Sequence, residues 1–215
     1  MKNASIEVVH NGIDLDFFYP SDKPYEDYKI LSIASSDVPM KGLDFMIKAF
    51  PEIKKNYPKA KLSVLGKIRE EGHTERLINS LDLKDDINFV SGLSHSELRE
   101  QYCSSHVVVI PSLYEGFGFA AAEAMACGVP VVVSDGGSLK EIVGEAGKVI
   151  VPGDENAIVD AVNELFSCED LRKNMVAKGI SRVKDKFTWH NAALKLENIY
   201  HQMIESHANN KYSKT

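Results

Sequence analysis

The sequence has no excess of positive charge and no long apolar run. Its formal net charge is -6 and no basic block stands out, which argues against a dedicated nucleic-acid-binding protein. No stretch approaches the roughly 18 consecutive apolar residues of a membrane-spanning helix, and the first residues show no apolar core of signal-peptide length. The protein is therefore predicted to be cytoplasmic, with peripheral contact to a membrane left open.

Cysteine is scarce, and neither cysteine nor histidine shows the spacing of a metal site. Cys103, Cys127 and Cys168 are odd in number and fall in or at the ends of predicted helices, so we expect reduced packing residues in a reducing compartment. The sequence DLD at 14–16 has the letters of a D-x-D metal clamp, but it lies in a predicted linker. A metal-independent site without a cofactor is expected.

Three common catalytic motifs are also missing. The chain has no G-x-G-x-x-G and no Walker lysine motif, which disfavours a dinucleotide oxidoreductase and a P-loop enzyme. It has no G-x-S-x-G elbow either, which disfavours a serine hydrolase of the α/β type.

Short apolar runs alternate with amphipathic helix patterns along most of the chain. The runs are nearly continuous, which is typical of strands covered on both faces. The predicted strands are 29–34, 61–66, 87–92, 106–111, 130–134 and 148–152. The helices predicted between them are 43–57, about 74–81, 94–104, 120–126 and 139–143. This alternation predicts an α/β fold: a doubly wound, mainly parallel Rossmann-like sheet with helices on both faces.

Residues 1–20 depart from the alternation. They contain a strand-like run, an Asn-Gly turn signal and the exposed-looking aromatics Phe17, Phe18 and Tyr19, but no helix of their own. We interpret this segment as an interdomain linker or the remnant of a terminal strand.

The remainder is divided between one domain and a terminal helix. Residues 21–186 are predicted to form the Rossmann-like domain, in which only helices are expected after residue 155. Residues 187–215 are predicted to form a C-terminal helix with a polar, frayed tail. An apolar stripe on that helix is either core or the contact for a partner, and it consists of Trp189, Ala192, Leu196, Ile199, Tyr200 and Met203.

The loop after the first predicted strand carries a lysine and a glycine. Lys41 and Gly42 stand just before the helix at 43–57, where free N–H groups, the positive helix end and an ammonium could converge on a phosphate. Taken alone, a lysine here is more often a solvated residue at a helix start.

The stretch SLYEGFGFAAAEAMACG, residues 112–128, combines acids with glycines. Gly116 and Gly118 let the backbone approach a ligand and aim N–H groups at phosphate oxygens or sugar hydroxyls. Glu115 would accept hydrogen bonds from sugar hydroxyls. Glu123, inside an otherwise small and apolar helix, could hold both hydroxyls of a ribose. The alternative is that Glu123 is solvated and Glu115 merely favours the helix N-terminus.

Gly136 and Gly137 stand before a further helix, in the loop after the strand at 130–134. They repeat the geometry that suits an anion, although a single Gly-Gly turn is a weak signal.

These motifs together resemble the E-x7-E signature of retaining glycosyltransferases of family 4, also called group 1, which have the GT-B fold. The signature is carried by SLYEGFGFAAAEAMACGVPVVVSD, while NGIDLDFFYP is similar to the interdomain linker and PMKGLDFMIKAF to the phosphate loop. The resemblance implies a C-terminal, donor-binding half whose domain at 21–186 binds a nucleotide sugar. It also implies an acceptor-binding N-terminal half as partner, in the same longer chain or in a separate subunit.

The resemblance implies a role for each site residue. Lys41 would bind the diphosphate and Glu115 would contact the donor sugar, which makes these two the catalytic candidates. Glu123 would bind the ribose, backbone amides of the glycine loop would hold sugar and phosphate, and two further turns would line the base pocket. The predicted donor-binding set is Gly42, Gly66, Gly92, Leu93, Gly116, Phe117, Gly118, Phe119, Glu123, Gly136 and Gly137.

Three positions depart from the family pattern: Ser36 replaces an arginine, Ala120 a proline and Ser138 a glycine. The favoured hypothesis is a donor domain for retaining, metal-independent glycosyl transfer to an unknown acceptor. A non-catalytic nucleotide-sugar-binding module or a subunit of a split enzyme is the alternative, and a nucleotide-sugar epimerase is the less favoured third. The motifs do not specify the base, the sugar or the acceptor.

Overall fold

The computed structural model describes residues 6–34 and 37–212, except for the side chains of 206–212. Its strands are β1 (Lys29–Ile33), β2 (Lys61–Leu65), β3 (Ile87–Val90), β4 (Val107–Ile110), β5 (Val131–Ser134) and β6 (Lys148–Ile150). They form one sheet in the order β3-β2-β1-β4-β5-β6, and every pairing in it is parallel. The order reverses between β1 and β4, so this is a doubly wound sheet.

Helices follow the strands. They are α1 (Leu43–Asn56), α2 (His73–Ser80), α3 (His95–Cys103), α4 (Phe119–Ala126), α5 (Leu139–Val143), α6 (Glu155–Ser167), α7 (Glu169–Lys186) and α8 (Trp189–Tyr212). Local sequence sets several of their ends. Ser94 and Glu97 form a capping box at the start of α3, and the Asp154 carboxylate accepts from the Ala157 N–H at the start of α6.

The core lies on both faces of the sheet, as the continuous apolar strands predict. In β4, Val107 and Val109 belong to the cluster that packs under α1 and α6. The residues between and after them, Val108 and Ile110, belong to the opposite cluster, which packs under α4 and α5. Because successive strand residues point to opposite faces, four apolar residues in a row are needed. The predicted α/β, Rossmann-like fold class is confirmed.

The head of the chain forms an isolated bridge among the described residues before β1, where the sequence suggested a strand-like run. Ile13 is buried, pairs with Thr188, and donates its N–H to the Phe187 carbonyl at 2.7 Å. The expectation of exposed aromatics is wrong for Phe17 and Phe18, which are both half-buried. Phe17 packs on His95 with a ring separation of 4.9 Å and Phe18 on Tyr102 at 6.1 Å.

Helix α8 presents its apolar side chains to the surface. Trp189, Tyr200 and Met203 are each more than half exposed, so the stripe does not form core within the part of the chain that the structure describes. Within that same part, no helix has both the length and the apolar character needed to cross a membrane. The proposed division at residues 20 and 186 stays a prediction.

Candidate functional site

Loops from β1, β4 and β5 meet at one edge of the sheet. In a parallel sheet all carboxyl ends lie on the same side, and the reversal of strand order opens a crevice there. The loop after β1 ends in a short 3-10 turn, Pro39–Lys41, directly before α1. The Leu113 N–H donates to the Met40 carbonyl at 2.8 Å, which ties the loop after β4 to the loop after β1.

Lys41 and Glu115, the two catalytic candidates, are in direct contact. Lys41 Nζ lies 2.7 Å from Glu115 Oε2, and the two side chains are 38% and 23% exposed. Gly42 makes this approach possible: its φ is +66°, and a side chain there would collide with the Pro111 carbonyl. The site therefore places a cation and a carboxylate together at the mouth of the crevice.

The glycine loop leads directly into α4. Gly118 has a φ of +96°, and its carbonyl accepts the N–H groups of Ala121 and Ala122 at 3.1 and 3.2 Å. The amides that precede these two belong to the first turn, whose N–H groups have no partner inside a helix. Phe117 and Phe119 flank Gly118, and their rings pack edge to face at 4.7 Å. The loop can thus offer backbone donors beside Lys41.

Gly136 and Gly137 hold the loop after β5 against the loop after β4. A side chain at Gly136 would collide with the Ser112 carbonyl, and one at Gly137 with the Glu115 carbonyl. Ser138 donates to that same Glu115 carbonyl twice, from its backbone N–H at 3.0 Å and from its hydroxyl at 3.1 Å. Sequence reasoning missed this anchoring role of Ser138, because no local pattern connects residues 23 apart.

Glu123 is paired with a buried tyrosine. Its Oε2 accepts a hydrogen bond of 2.7 Å from the hydroxyl of Tyr102 in α3. Burial raises the pKa of Glu123 above its usual range, against the lowering effects of Tyr102 and His95. Burial and the nearby carboxylate likewise raise the pKa of Tyr102, which keeps its phenol a donor. The sequence contains no local signal for this pair.

Glu123 also lines a small cavity next to the head of the chain. The cavity has a volume of about 250 Å³, and its other walls include Asp14, Phe17, His95 and Trp189. A carboxylate that already holds one hydroxyl beside an open space can accept a further hydroxyl from a ligand.

The three residues assigned to a base pocket lie together. Gly66, Gly92 and Leu93 line a cavity of about 420 Å³ at the carboxyl ends of β2 and β3. Gly92 has a φ of +72°, and the Gly66 N–H donates to the Val90 carbonyl at 2.9 Å. The site residues thus follow one edge of the sheet, from this cavity to the Gly136–Gly137 turn.

Ser36, at the position of the family arginine, lies outside the described residues. Over residues 6–34 and 37–212, no group of three or more His, Cys, Asp or Glu side chains is placed to hold a metal ion. In the DLD sequence, the Asp14 carboxylate accepts the Asp16 N–H at 3.0 Å, which closes a local turn.

The fold and this row of loops define an α/β, Rossmann-like domain that matches one half of a GT-B glycosyltransferase. A family model described as "Glycosyl transferases group 1" matches residues 17–182. The chain belongs to that family.

Three similar proteins are informative. The chain is 33% identical over 202 residues to an "MMP alpha-(1->4)-mannosyltransferase" from Mycolicibacterium hassiacum, covering 93% of this chain and 49% of that one. A sucrose-phosphate synthase from Thermosynechococcus elongatus superposes with a TM-score of 0.82 and 29% identity, covering 95% of this chain and 54% of that one. The C-terminal domain of a group 1 glycosyl transferase (LpcC) from Francisella tularensis gives 0.73 and 25%, covering 83% of this chain and 100% of that domain.

The chain spans about half the length of the curated relatives it matches. Its similarity to an isolated C-terminal domain of the same family identifies it as the C-terminal half of the two-part fold.

Proposed function

We propose that this chain binds a nucleoside diphosphate sugar and serves as the donor half of a retaining, metal-independent glycosyltransferase. The observation that carries the proposal is the contact between Lys41 and Glu115 across two loops, 2.7 Å from Nζ to Oε2. It puts a donor for phosphate oxygens next to an acceptor for sugar hydroxyls, which are the two chemistries that meet at the bond between a sugar and a diphosphate.

The reaction needs charge stabilisation where the leaving group departs. When the bond from the anomeric carbon to the diphosphate breaks, the electron pair goes to the phosphate oxygen. Lys41 and the amides at the start of α4 stabilise that negative charge, and preorganised donors of this kind supply much of an enzyme's rate enhancement. Glu115 holds hydroxyls of the transferred sugar, so its role is positioning and no covalent intermediate is assigned to it.

The rest of the donor follows the same edge of the sheet. Glu123 accepts the ribose hydroxyls from the cavity it lines, next to Tyr102. The base occupies the cavity formed by Gly66, Gly92 and Leu93, where backbone groups read its edge. Retention of configuration is part of the proposal by family membership.

The acceptor is proposed to bind to a second body that faces this edge. The chain covers about half of its curated relatives, and a closed cleft between two bodies excludes water and aligns both substrates. Either a further segment of a longer chain or a separate subunit would supply that body.

A second candidate, a non-catalytic nucleotide-sugar-binding module, is favoured by one observation. Ser36 occupies the position where the family usually has an arginine, so this loop brings one fewer cation to the diphosphate. Donor hydrolysis or transfer after addition of the acceptor half separates the two candidates, because the module would bind the donor and leave it intact.

Isothermal titration calorimetry with UDP, GDP, ADP and their sugars tests the donor site. We expect one nucleotide class to bind. Lys41→Ala and Glu123→Gln should each weaken that binding about 10- to 100-fold, since a hydrogen bond to a charged group is worth about 1.5–3 kcal/mol.

The matched controls are Lys173→Ala and Glu169→Gln, which change an ion pair of 2.8 Å on α7 and should leave the affinity unchanged. If the controls weaken binding as much as the site variants do, or if no nucleotide binds, the assignment of this edge as the donor site is wrong.

A further inference from the structure

Two neighbouring cysteines lie close to the Glu123–Tyr102 pair. Cys103 is the last residue of α3, and Cys127 follows α4, with its N–H donating to the Glu123 carbonyl at 2.9 Å. Cys103 Sγ lies 3.9 Å from the Cys127 carbonyl oxygen, so the two cysteines are neighbours across the two helix ends. The two cysteines therefore lie at the ends of the two helices that carry Tyr102 and Glu123.

The two thiols differ in access. Cys127 is 3% exposed. Cys103 is half-buried and lines two surface cavities, of about 420 and 500 Å³. A small reagent can thus reach Cys103 from solvent, while Cys127 is reached through Cys103.

The surroundings of Cys103 favour its thiolate. The hydrogen bond from Cys127 and the charge of Arg99 lower the pKa of Cys103 to about 7. Arg99 is fixed there because its guanidinium donates to the Tyr19 and Pro20 carbonyls at 2.9 and 3.0 Å and stacks on the Tyr19 ring at 3.6 Å. The thiolate is the nucleophilic form of cysteine.

We propose that Cys103 and Cys127 form a dithiol modification site, which a low-molecular-weight disulfide oxidises to an intramolecular disulfide. In the first step the Cys103 thiolate attacks one sulfur of the reagent, RSSR, forming Cys103–S–SR and releasing RS⁻. In the second step Cys127 gives its proton to the RS⁻ released in the first step and attacks Cys103 Sγ, which forms the Cys103–Cys127 bond and releases a second RS⁻. In total two protein thiols are oxidised and one RSSR is reduced to two thiols.

The first step prepares the second. Cys127 has its pKa raised chiefly by its hydrogen bond with Cys103, and then by burial. Formation of the mixed disulfide removes the Cys103 thiolate next to Cys127. Cys127 then faces a sulfur with a leaving group, and exchange follows.

The proposed disulfide lies one helical turn from the proposed donor site. A bond between Cys103 and Cys127 fixes the end of α3 to the end of α4, next to Tyr102 and four residues from Glu123. The cross-link changes how the Tyr102 hydroxyl and the Glu123 carboxylate face the cavity. This consequence rests on the proposed role of Glu123 in ribose binding, whereas the disulfide chemistry does not.

The first experiment treats the folded protein with oxidised glutathione and maps its thiols by mass spectrometry. Cys168 is exposed and free, so it serves as an internal control that should carry a glutathione adduct. We expect Cys103 and Cys127 to be joined in one linked peptide pair without an adduct. Cys127→Ser should instead leave the adduct on Cys103, and Cys103→Ser should leave Cys127 unmodified. An adduct on Cys103 with an unreacted Cys127 in the unaltered chain overturns the proposal.

The second experiment compares nucleotide affinity in the Cys168→Ser background before and after oxidation. We expect the oxidised protein to bind the nucleotide at least threefold more weakly and to regain its full affinity with dithiothreitol. The affinity of Cys103→Ser should not change on treatment. Unchanged affinity despite a mapped disulfide overturns the link to the donor site. Failure of the reduced protein to bind any nucleotide counts against the proposed function, and the mapped disulfide still decides the chemistry of the pair.

Discussion

Lys41 and Glu115 balance each other's charge across the gap between two loops. Their side chains are 38% and 23% exposed, and a partly exposed ion pair of this kind contributes about 0–1 kcal/mol. A diphosphate brings more negative charge than one carboxylate, so it can replace Glu115 as the partner of Lys41. Under the proposed function, Glu115 would then be released to the hydroxyls of the sugar.

Glu115→Gln tests this exchange. Removing the carboxylate charge frees Lys41, so the nucleoside diphosphate that binds should do so about two- to fivefold more tightly, which corresponds to a pair worth up to about 1 kcal/mol. The matching nucleotide sugar should lose part of its advantage over the bare diphosphate, because an amide holds its hydroxyls less well. Calorimetry with both ligands measures the two effects, and weaker binding of the diphosphate would contradict the exchange.

Residue types and spacing were enough to select Lys41, Glu115 and Glu123, because each sits in a local pattern of glycines and a helix start. Their partners could not be found that way. Tyr102 and Ser138 reach Glu123 and Glu115 from 21 and 23 residues away, and only the folded sheet brings those segments together. Whether the selected residues bind a donor stays a prediction.

At the scale of elements, the entry to α4 shows that two nearby glycines have different tasks. Gly118 has a φ of +96°, and a Cβ there would lie 2.9 Å from Leu139 Cδ2. Gly116 lies outside the left-handed region, and a Cβ built on it would meet no atom of the described chain within 4 Å. The backbone at Gly118 thus requires glycine, and the backbone at Gly116 tolerates a side chain.

Gly118→Ala should lower the free energy of unfolding by about 1–3 kcal/mol, because a left-handed conformation is strained for any residue with a Cβ. Gly116→Ala, the matched control, should change it by no more than about 0.5 kcal/mol. Urea denaturation of both variants measures the difference. Equal losses in the two variants would contradict this reading of the helix entry.

The ends of the strands and of the helices between them could be predicted to within about two residues, because continuous apolar runs and helical spacing are local features of the sequence. The predicted strand at 106–111, for example, is β4 at Val107–Ile110. The head could not be predicted in this way. Phe17 and Phe18 pack on α3 and Ile13 pairs with Thr188, just before α8, and those contacts arise from tertiary packing.

At the scale of the whole molecule, the end of the sheet opposite the candidate site, where the strands begin, carries a buried histidine. His106 is 3% exposed, and its Nδ1 accepts the Tyr28 N–H at 3.0 Å. Burial and then the charge of Arg172 lower the pKa of His106 to about 4, against a small opposing effect of Asp27. The folded state therefore binds this proton less readily than the unfolded chain, where histidine titrates near 6.5.

Stability should fall as the pH decreases from about 6.5 to about 4. In that window the unfolded state binds more protons at this position, so His106 costs about 2–3 kcal/mol of unfolding free energy by pH 4. His106→Gln keeps an acceptor for the Tyr28 N–H and does not titrate. Urea midpoints at several pH values should therefore give a shallower acid slope for the variant, and parallel slopes for the two proteins would contradict the assignment.

The contact between the head and α8 has a mechanical consequence. Ile13 and Phe187 share a hydrogen bond, and Gly12 packs so closely on Trp189 that a side chain would collide with its backbone. The segments before the first strand and after α7 thus lie next to each other. If the proposed acceptor half is joined here, the two neighbouring connections would act as a hinge axis, about which it would swing with few contacts broken. Because Gly12 and Trp189 also line the cavity next to Glu123, a turn about that axis would change the shape of this cavity.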